Sequence, residues 1–269
     1  MIKYYTRACN FFHGPQAKYL LKKKLALPLC GNKKIVFDSL ELITRKKNKI
    51  HNRLIKLQHI KSLKIKEQKI IKEDLKKITK KRKNFLKNIN FIKPSIMGIL
   101  NLTPDSFSDG GKFNSKKKSI KQLEKMIKTG ADIIDVGGES TRPGSKTIRP
   151  SVEWQRVQKI IKYFKKKYKK KCLSIDTRKS ELMAKGIEYG VNLINDVSGF
   201  EYDNKSLKIL DKHKIPKVLH HMQGTPDIMQ KNPKYKNVLL DVYDFFEKKI
   251  KKEIKGKKII LDPGIGFGK

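Results

Sequence analysis

From Pro94 onward, short apolar runs alternate with longer amphipathic stretches, and this rhythm constrains the fold of the chain more than any other feature. The apolar runs are Ile96–Leu102, Asp132–Val136, Cys172–Ile175, Leu193–Val197, Lys217–His221 and Lys258–Leu261. Helical spacing falls near Ser115–Thr129, Ser151–Lys169, Ser180–Tyr189, Asn204–His213 and Val238–Lys255, each opening at a capping residue or a Pro-containing turn. Strands apolar on both faces, separated by helices, belong to a parallel sheet with covered faces. No Gly-rich dinucleotide loop follows the first strand, so six βα steps favour a (β/α) barrel over a Rossmann sheet.

Residues 1–93 read as different material. Tyr4, Tyr5, Phe11 and Phe12 suggest a short ordered element, Gly14-Pro15 a turn, and Ile35 to Ile43 a strand. From about Leu54 to Leu86 apolar residues recur near helical spacing opposite a lysine-rich face, which predicts a basic amphipathic helix. The expected organisation is therefore a basic, mainly helical extension over 1–93, of no assigned role, and a partial (β/α)-barrel domain over 94–269.

Charge raises a nucleic-acid alternative. Residues 1–93 hold 27 Lys+Arg against 5 Asp+Glu, a net of +22, and the remaining 176 hold 38 against 20, a net of +18. The excess is spread along the chain and is mostly lysine, whereas base reading and bidentate phosphate grip favour arginine. Such a surface gives salt-sensitive, non-specific attraction to polyanions, so a sequence-specific nucleic-acid partner is not expected. Three scattered cysteines (Cys9, Cys30, Cys172) without a CxxC exclude a disulfide framework or a cysteine zinc site and fit a reducing cytoplasm. No run approaches the ~18 apolar residues of a membrane-spanning helix, so no membrane partner is expected.

Polar residues gather where the apolar runs end: Asn101, then Asp135 to Glu139, Asp176, Asn195-Asp196, His221 and Asp262. Carboxylates and amides inside apolar strands are costly unless they meet a partner or ligand. A barrel brings all strand ends to one rim, where Asp176, Asp262, Asn101 and Asn195 would accept hydrogen bonds from a flat heterocycle rich in N–H groups. Arg142 suits a carboxylate or phosphate, and Asn101 a hard divalent cation. The alternative for Glu139 and Arg142 is a simple pairing with each other in the loop. His220 and His221, as strand neighbours, point to opposite faces and do not chelate together. Cys172 reads as core, and Gly264 to Lys269 lacks the first glycine of a phosphate loop.

The segments MGILNLTPDSFSDGG, IIDVGGESTRPGS, SIDT, INDVSG, HMQGTP and LDPGIGFGK resemble the dihydropteroate synthase family, in family order. The resemblance implies condensation of 6-hydroxymethyl-7,8-dihydropterin diphosphate with p-aminobenzoate, giving 7,8-dihydropteroate and diphosphate for folate synthesis. It implies that Asn101 helps coordinate Mg²⁺ with the diphosphate, that Asp176, Asn195 and Asp262 bind the pterin, and that Thr141 contacts the diphosphate. It further implies that Asp109 supports the cationic pterin and that Phe107, Arg142 and Pro143 enclose p-aminobenzoate. The family's barrel has eight strands, with a Ser-Arg-Lys motif after the seventh and an Arg-x-His motif after the eighth, and its homodimer helices lie in the same part. With six βα units in the sequence, the expectation is an incomplete barrel with unpaired edges and little activity alone. The alternatives are a pterin-binding remnant without turnover and a basic nucleic-acid-binding protein.

Overall fold

The structure is a computed structural model that describes residues 2–86, 88–91, 93–103, 115–140, 145–225, 228–254 and 258–269. The chain folds as two units, Met1–Lys83 and Asn84–Lys269.

In the first unit, β1 (Ile2–His13), β2 (Leu27–Leu29), β3 (Asn32–Lys46) and β4 (Lys49–Lys56) form an antiparallel sheet. Its order is β1-β3-β2, with β4 also on β3. Helix α1 (Gly14–Lys22), a 3-10 turn (Leu57–Ser62) and α2 (Ile65–Thr79) complete the unit. The expectation of a mainly helical extension is thus corrected: β1 and β3 alone run 12 and 15 residues. Their β-branched and aromatic residues (Ile2, Tyr4, Tyr5, Thr6, Ile35, Val36, Phe37, Ile43) favour a pleated surface over a helix. Residues 54–86 also divide: Leu54 to Lys56 close β4, and helical spacing is realised only over Ile65–Thr79. Gly14-Pro15 starts α1 rather than a free turn, because proline's fixed φ suits a first helical turn. The β1–β3 register is the same on both sides of Asn10, whose φ is 57° and whose side-chain amide donates to Asp38 opposite at 2.8 Å. Phe37, Leu40, Leu42 and Ile55 pack with Ile71 of α2, and Val36 packs with Ala17 of α1.

The second unit runs β5 (Met97–Asn101), α3 (Ser115–Lys128), β6 (Ile133–Gly137), α4 (Pro150–Lys167), β7 (Cys172–Asp176) and α5 (Ser180–Glu188). It continues β8 (Leu193–Asp196), α6 (Ser206–His213), β9 (Lys217–His220), α7 (Val238–Lys252) and β10 (Ile259–Asp262). All five strand pairings are parallel, and spatial order equals sequence order, with no switch point of the doubly wound kind. This is the (β/α)8 TIM-barrel arrangement with six of its eight strands. Strand limits fall within a residue or two of the apolar runs. The caps differ: Asn237 caps α7 by accepting from the Leu240 N–H at 3.0 Å, but the residues preceding α4, α5 and α6 make no side-chain cap.

Strand alternation sorts the side chains. Leu100, Ile134, Val136, Leu173, Ile175, Ile194 and Leu219 face the helices and form the large core with Val157, Ile161 and Phe164. The other parity faces inward. Its lower layer, Met97, Ile133, Cys172, Leu193, Val218 and Ile260, is capped from below by Leu86, Ile89 and Phe91. That plug draws the unit's start back to Asn84, ten residues before the composition change at Pro94. β5 and β10 are the sheet edges, and Ile99, inward on β5, is 60% exposed.

Candidate functional site

Above the apolar floor the inward positions turn polar. Asn101, Gly137, Asp176 and Asn195 occupy one rung across β5, β6, β7 and β8. In parallel strands such partners point to the same side, so all four address the barrel interior. One step lower on β6 and β7 are Asp135 and Ser174. His220 and Asp262 form the matching pair on β9 and β10. The gradient from floor to rim places ionisable groups at the carboxyl ends of the strands, where barrels of this kind build their sites.

Gly137 keeps the rung open. A Cβ at that position would lie 3.2 Å from Asn101 Oδ1 and 3.5 Å from both Cβ and Oδ2 of Asp176. These two side chains therefore converge on the space above Gly137. Asn195 donates its amide N–H to Asp135 Oδ2 at 2.8 Å, while Asn195 Oδ1 is buried without a hydrogen-bond partner among the described residues. Asp262 accepts the Gly264 N–H at 2.8 Å, which folds the chain over the end of β10. A cavity of about 370 Å³ runs from Ile89 and Phe91 to Asn195 and Asp262, within the size range of small-molecule sites.

The electrostatics are those of crowded acids. Burial pushes the Asp176 carboxyl well above the usual carboxylate range, and the negative charges of Asp135 and Asp196 push it further. Burial also raises Asp135, and raises Asp196 to about 6 although Asp196 accepts from the Ser198 N–H and hydroxyl. Acids held this way are relieved by N–H donors from a ligand. His220 and His221 do separate as strand neighbours should. Nδ1 of His220 bonds the Val197 carbonyl at 2.9 Å, whereas His221 packs edge-on to Phe245.

Behind the rim, Glu139 is held from the start of α5 and from the far end of its own loop. Its carboxylate takes Arg178 Nε at 2.8 Å, Lys179 Nζ at 2.7 Å and the Ile148 N–H at 3.0 Å. Lys179 also binds Glu153 at 2.5 Å, and the Ser145 hydroxyl donates to the Ser140 carbonyl at 2.6 Å. The stem of the loop after β6 is thereby pinned to β7, α4 and the start of α5. Phe107, Asp109, Thr141, Arg142 and Pro143, all expected in the site, lie outside the described residues.

Of the expected residues, the structure brings Asn101 and Asp176 together and sets Asn195 and Asp262 on the same cavity. Residue-type reasoning noted Asp135 and Glu139 at the end of the second run without finding their partners, and passed over Gly137, Lys179 and Glu153. The available signal was the cost of Asp135 in an otherwise apolar strand, which demands a partner.

A six-stranded parallel arc with inward carboxylates and an amide at the carboxyl ends of its strands defines a (β/α)-barrel protein with its candidate site at that rim. Residues 97–269 match the pterin binding enzyme family, and the chain belongs to it. It is 47% identical over 178 residues to a dihydropteroate synthase of Clostridium beijerinckii, covering 65% of this chain and 63% of that protein. Against the Escherichia coli dihydropteroate synthase it is 41% identical over 180 residues, covering 65% and 63%. Among solved structures it resembles the Yersinia pestis dihydropteroate synthase with a sulfonamide drug complex, with a TM-score of 0.63, 36% identity and 69% of each chain covered. It also resembles the Xanthomonas albilineans dihydropteroate synthase with 4-aminobenzoic acid, with a TM-score of 0.59, 34% identity, and 65% and 63% covered. The chain thus spans just under two thirds of the length of the curated relatives it matches. Among the described residues no helix is long and apolar enough to cross a membrane.

Proposed function

We propose that the chain carries the pterin side of a dihydropteroate synthase, joining 6-hydroxymethyl-7,8-dihydropterin diphosphate to p-aminobenzoate. The observation that carries this reading is the inward set Asp176, Asn195 and Asp262, three acceptors above an apolar floor, in a chain 47% identical to a named dihydropteroate synthase. Pterin N–H groups donate to these acceptors, which fixes the ring and relieves the buried carboxylates. The bond from the pterin methylene to the diphosphate oxygen breaks, the arylamine nitrogen bonds to the methylene, and one amine proton is released. Asp176 and Asp262 stabilise the positive charge that develops on the ring as the anion leaves, the kind of preorganised electrostatics that lowers such barriers. Asp109, Thr141, Arg142, Phe107 and Pro143 take the loop roles that the family resemblance gives them.

Mg²⁺ fits the rim. Asn101 is exposed at the end of β5 with its carbonyl oxygen beside side-chain-free Gly137, and Mg²⁺ is held by one or two protein oxygens plus substrate phosphates. When bound there with the diphosphate, the ion would neutralise charge on the leaving group. A cytoplasmic location belongs to the same reading, with which the three free cysteines agree, while the family's homodimer rests on helices that follow the six βα units present here. The test is incubation of the full chain with the pterin diphosphate, Mg²⁺ and labelled p-aminobenzoate. A little labelled dihydropteroate with equimolar diphosphate is expected, in keeping with the low activity expected of six βα units alone, and absence of both product and pterin diphosphate binding at every enzyme concentration overturns the reading.

A further inference from the structure

We infer that Asp135 is a positioning residue: by capturing the amide N–H of Asn195 it locks the Asn195 carbonyl oxygen as an acceptor toward the cavity. The site then recognises a ligand edge by its N–H donor. The inference rests on the pterin reading above and adds the residue that decides which end of the Asn195 amide meets the ring.

A carboxamide carries a donor and an acceptor of nearly equal size, so packing alone does not choose between its two orientations. Here the choice is made across the barrel. Asp135 on β6 and Asn195 on β8 meet at 2.8 Å over β7, where the inward residue between them is the small Ser174. A carboxylate accepts and an amide nitrogen donates, so this contact commits the nitrogen to Asp135. The oxygen remains buried and unpartnered among the described residues, on a side chain that lines the cavity together with Asp262. Leaving such an atom unpaired is costly, and a ligand N–H removes that cost. Asp135 itself is 2% exposed and need not touch the ligand.

The discriminating variant is Asp135→Asn, which preserves shape but can donate to Asn195 Oδ1 and turn the Asn195 nitrogen toward the ligand. Calorimetric titration of 6-hydroxymethyl-7,8-dihydropterin diphosphate with Mg²⁺ into the full chain should show affinity lower by about tenfold or more, from loss of one good buried hydrogen bond. The double variant Asp135→Asn/Asn195→Asp should recover most of that loss, because the amide at 135 then donates to one oxygen at 195 and the other again faces the ligand. A merely structural role predicts lowered melting temperatures and no recovery in the double variant. A ligand-free readout accompanies the titration. The Asn195 side-chain NH₂ resonances should be shifted downfield and exchange slowly in the parent chain, as expected for a carboxylate-bonded amide. Unaltered affinity in Asp135→Asn, a double variant no tighter than Asn195→Asp alone, or freely exchanging Asn195 amide protons overturns the inference. Failure of the parent chain to bind the pterin overturns the reading of the site and the inference with it. Parent-chain binding with an indifferent Asp135→Asn overturns the inference alone.

Discussion

Replacing Lys179 with methionine isolates the largest buried charge interaction behind the site. Lys179 is 5% exposed, and its ammonium lies 2.7 Å from Glu139 and 2.5 Å from Glu153, which are 8% and 0% exposed. Methionine fills most of the volume but leaves buried Glu153 without its cation and Glu139 with Arg178 alone. Removing one partner of a buried pair costs about 3–5 kcal/mol. For a unit of this size about 2–4 °C of melting temperature follows each kcal/mol, so the loss should be roughly 6–20 °C. Trp154, the chain's single tryptophan, sits beside Glu153 and packs against the barrel core, so its fluorescence follows this unit during a thermal melt. The deficit should also depend on pH. Burial already raises the Glu153 carboxyl, and without the ammonium it rises further, so the folded state binds more protons and stability recovers as pH falls from 7 toward 5. Lys185→Met, which breaks the exposed pair with Glu181, supplies the contrast, with an expected change of about 0.3–0.5 kcal/mol. A Lys179→Met melt within about 1 °C of the parent at pH 7, or a deficit that grows on acidification, refutes the reasoning.

Three further outcomes follow from the same geometry. Gly137→Ala places a methyl 3.2 Å from Asn101 Oδ1 and should weaken pterin diphosphate binding by about tenfold with little change in melting, which titration and the Trp154 melt measure together. Asp196, raised to about 6 by burial, binds a proton more tightly when folded than when unfolded. Stability should therefore fall as pH rises from about 4 to 6, by roughly 2–3 kcal/mol, and Asp196→Asn should flatten that slope in urea titrations. Burial pushes the Cys172 thiol to about 11, so at pH 8 a thiol reagent should modify half-buried Cys9 and Cys30 promptly and Cys172 only on unfolding.

The barrel was legible in the sequence because its signals are local. Apolar runs such as Ile133–Gly137 and Cys172–Asp176 are buried on both faces and need no alternation to be read. The placement of Asn101, Asp176, Asn195 and Asp262 follows from their positions at the run ends. The first unit was misread where its signals are not local. β4 exposes most of its residues, including Leu54, and is a strand because the hairpin with β3 supplies its hydrogen bonds, Glu41 opposite Leu54 and Ser39 opposite Lys56. Helical spacing across 54–86 ignores that pairing. The Glu139–Lys179–Glu153 cluster was hidden for the same reason, since its members are 40 and 26 residues apart and meet only once β6, α4 and β7 are in register. Asp135 was visible as a costly residue, but its partner was not.

Whether the inward acids form a pterin site is tested most directly by titrating 6-hydroxymethyl-7,8-dihydropterin diphosphate with Mg²⁺ into the full chain and into Asp176→Ala and Asp262→Ala. One site per chain is expected, weakened by about tenfold or more in each variant, with Asp176→Ala melting no lower than the parent because the lost carboxyl was held at a raised pKa. Equal binding in all three proteins, or no binding by the parent, would contradict the assignment of the pterin to these residues.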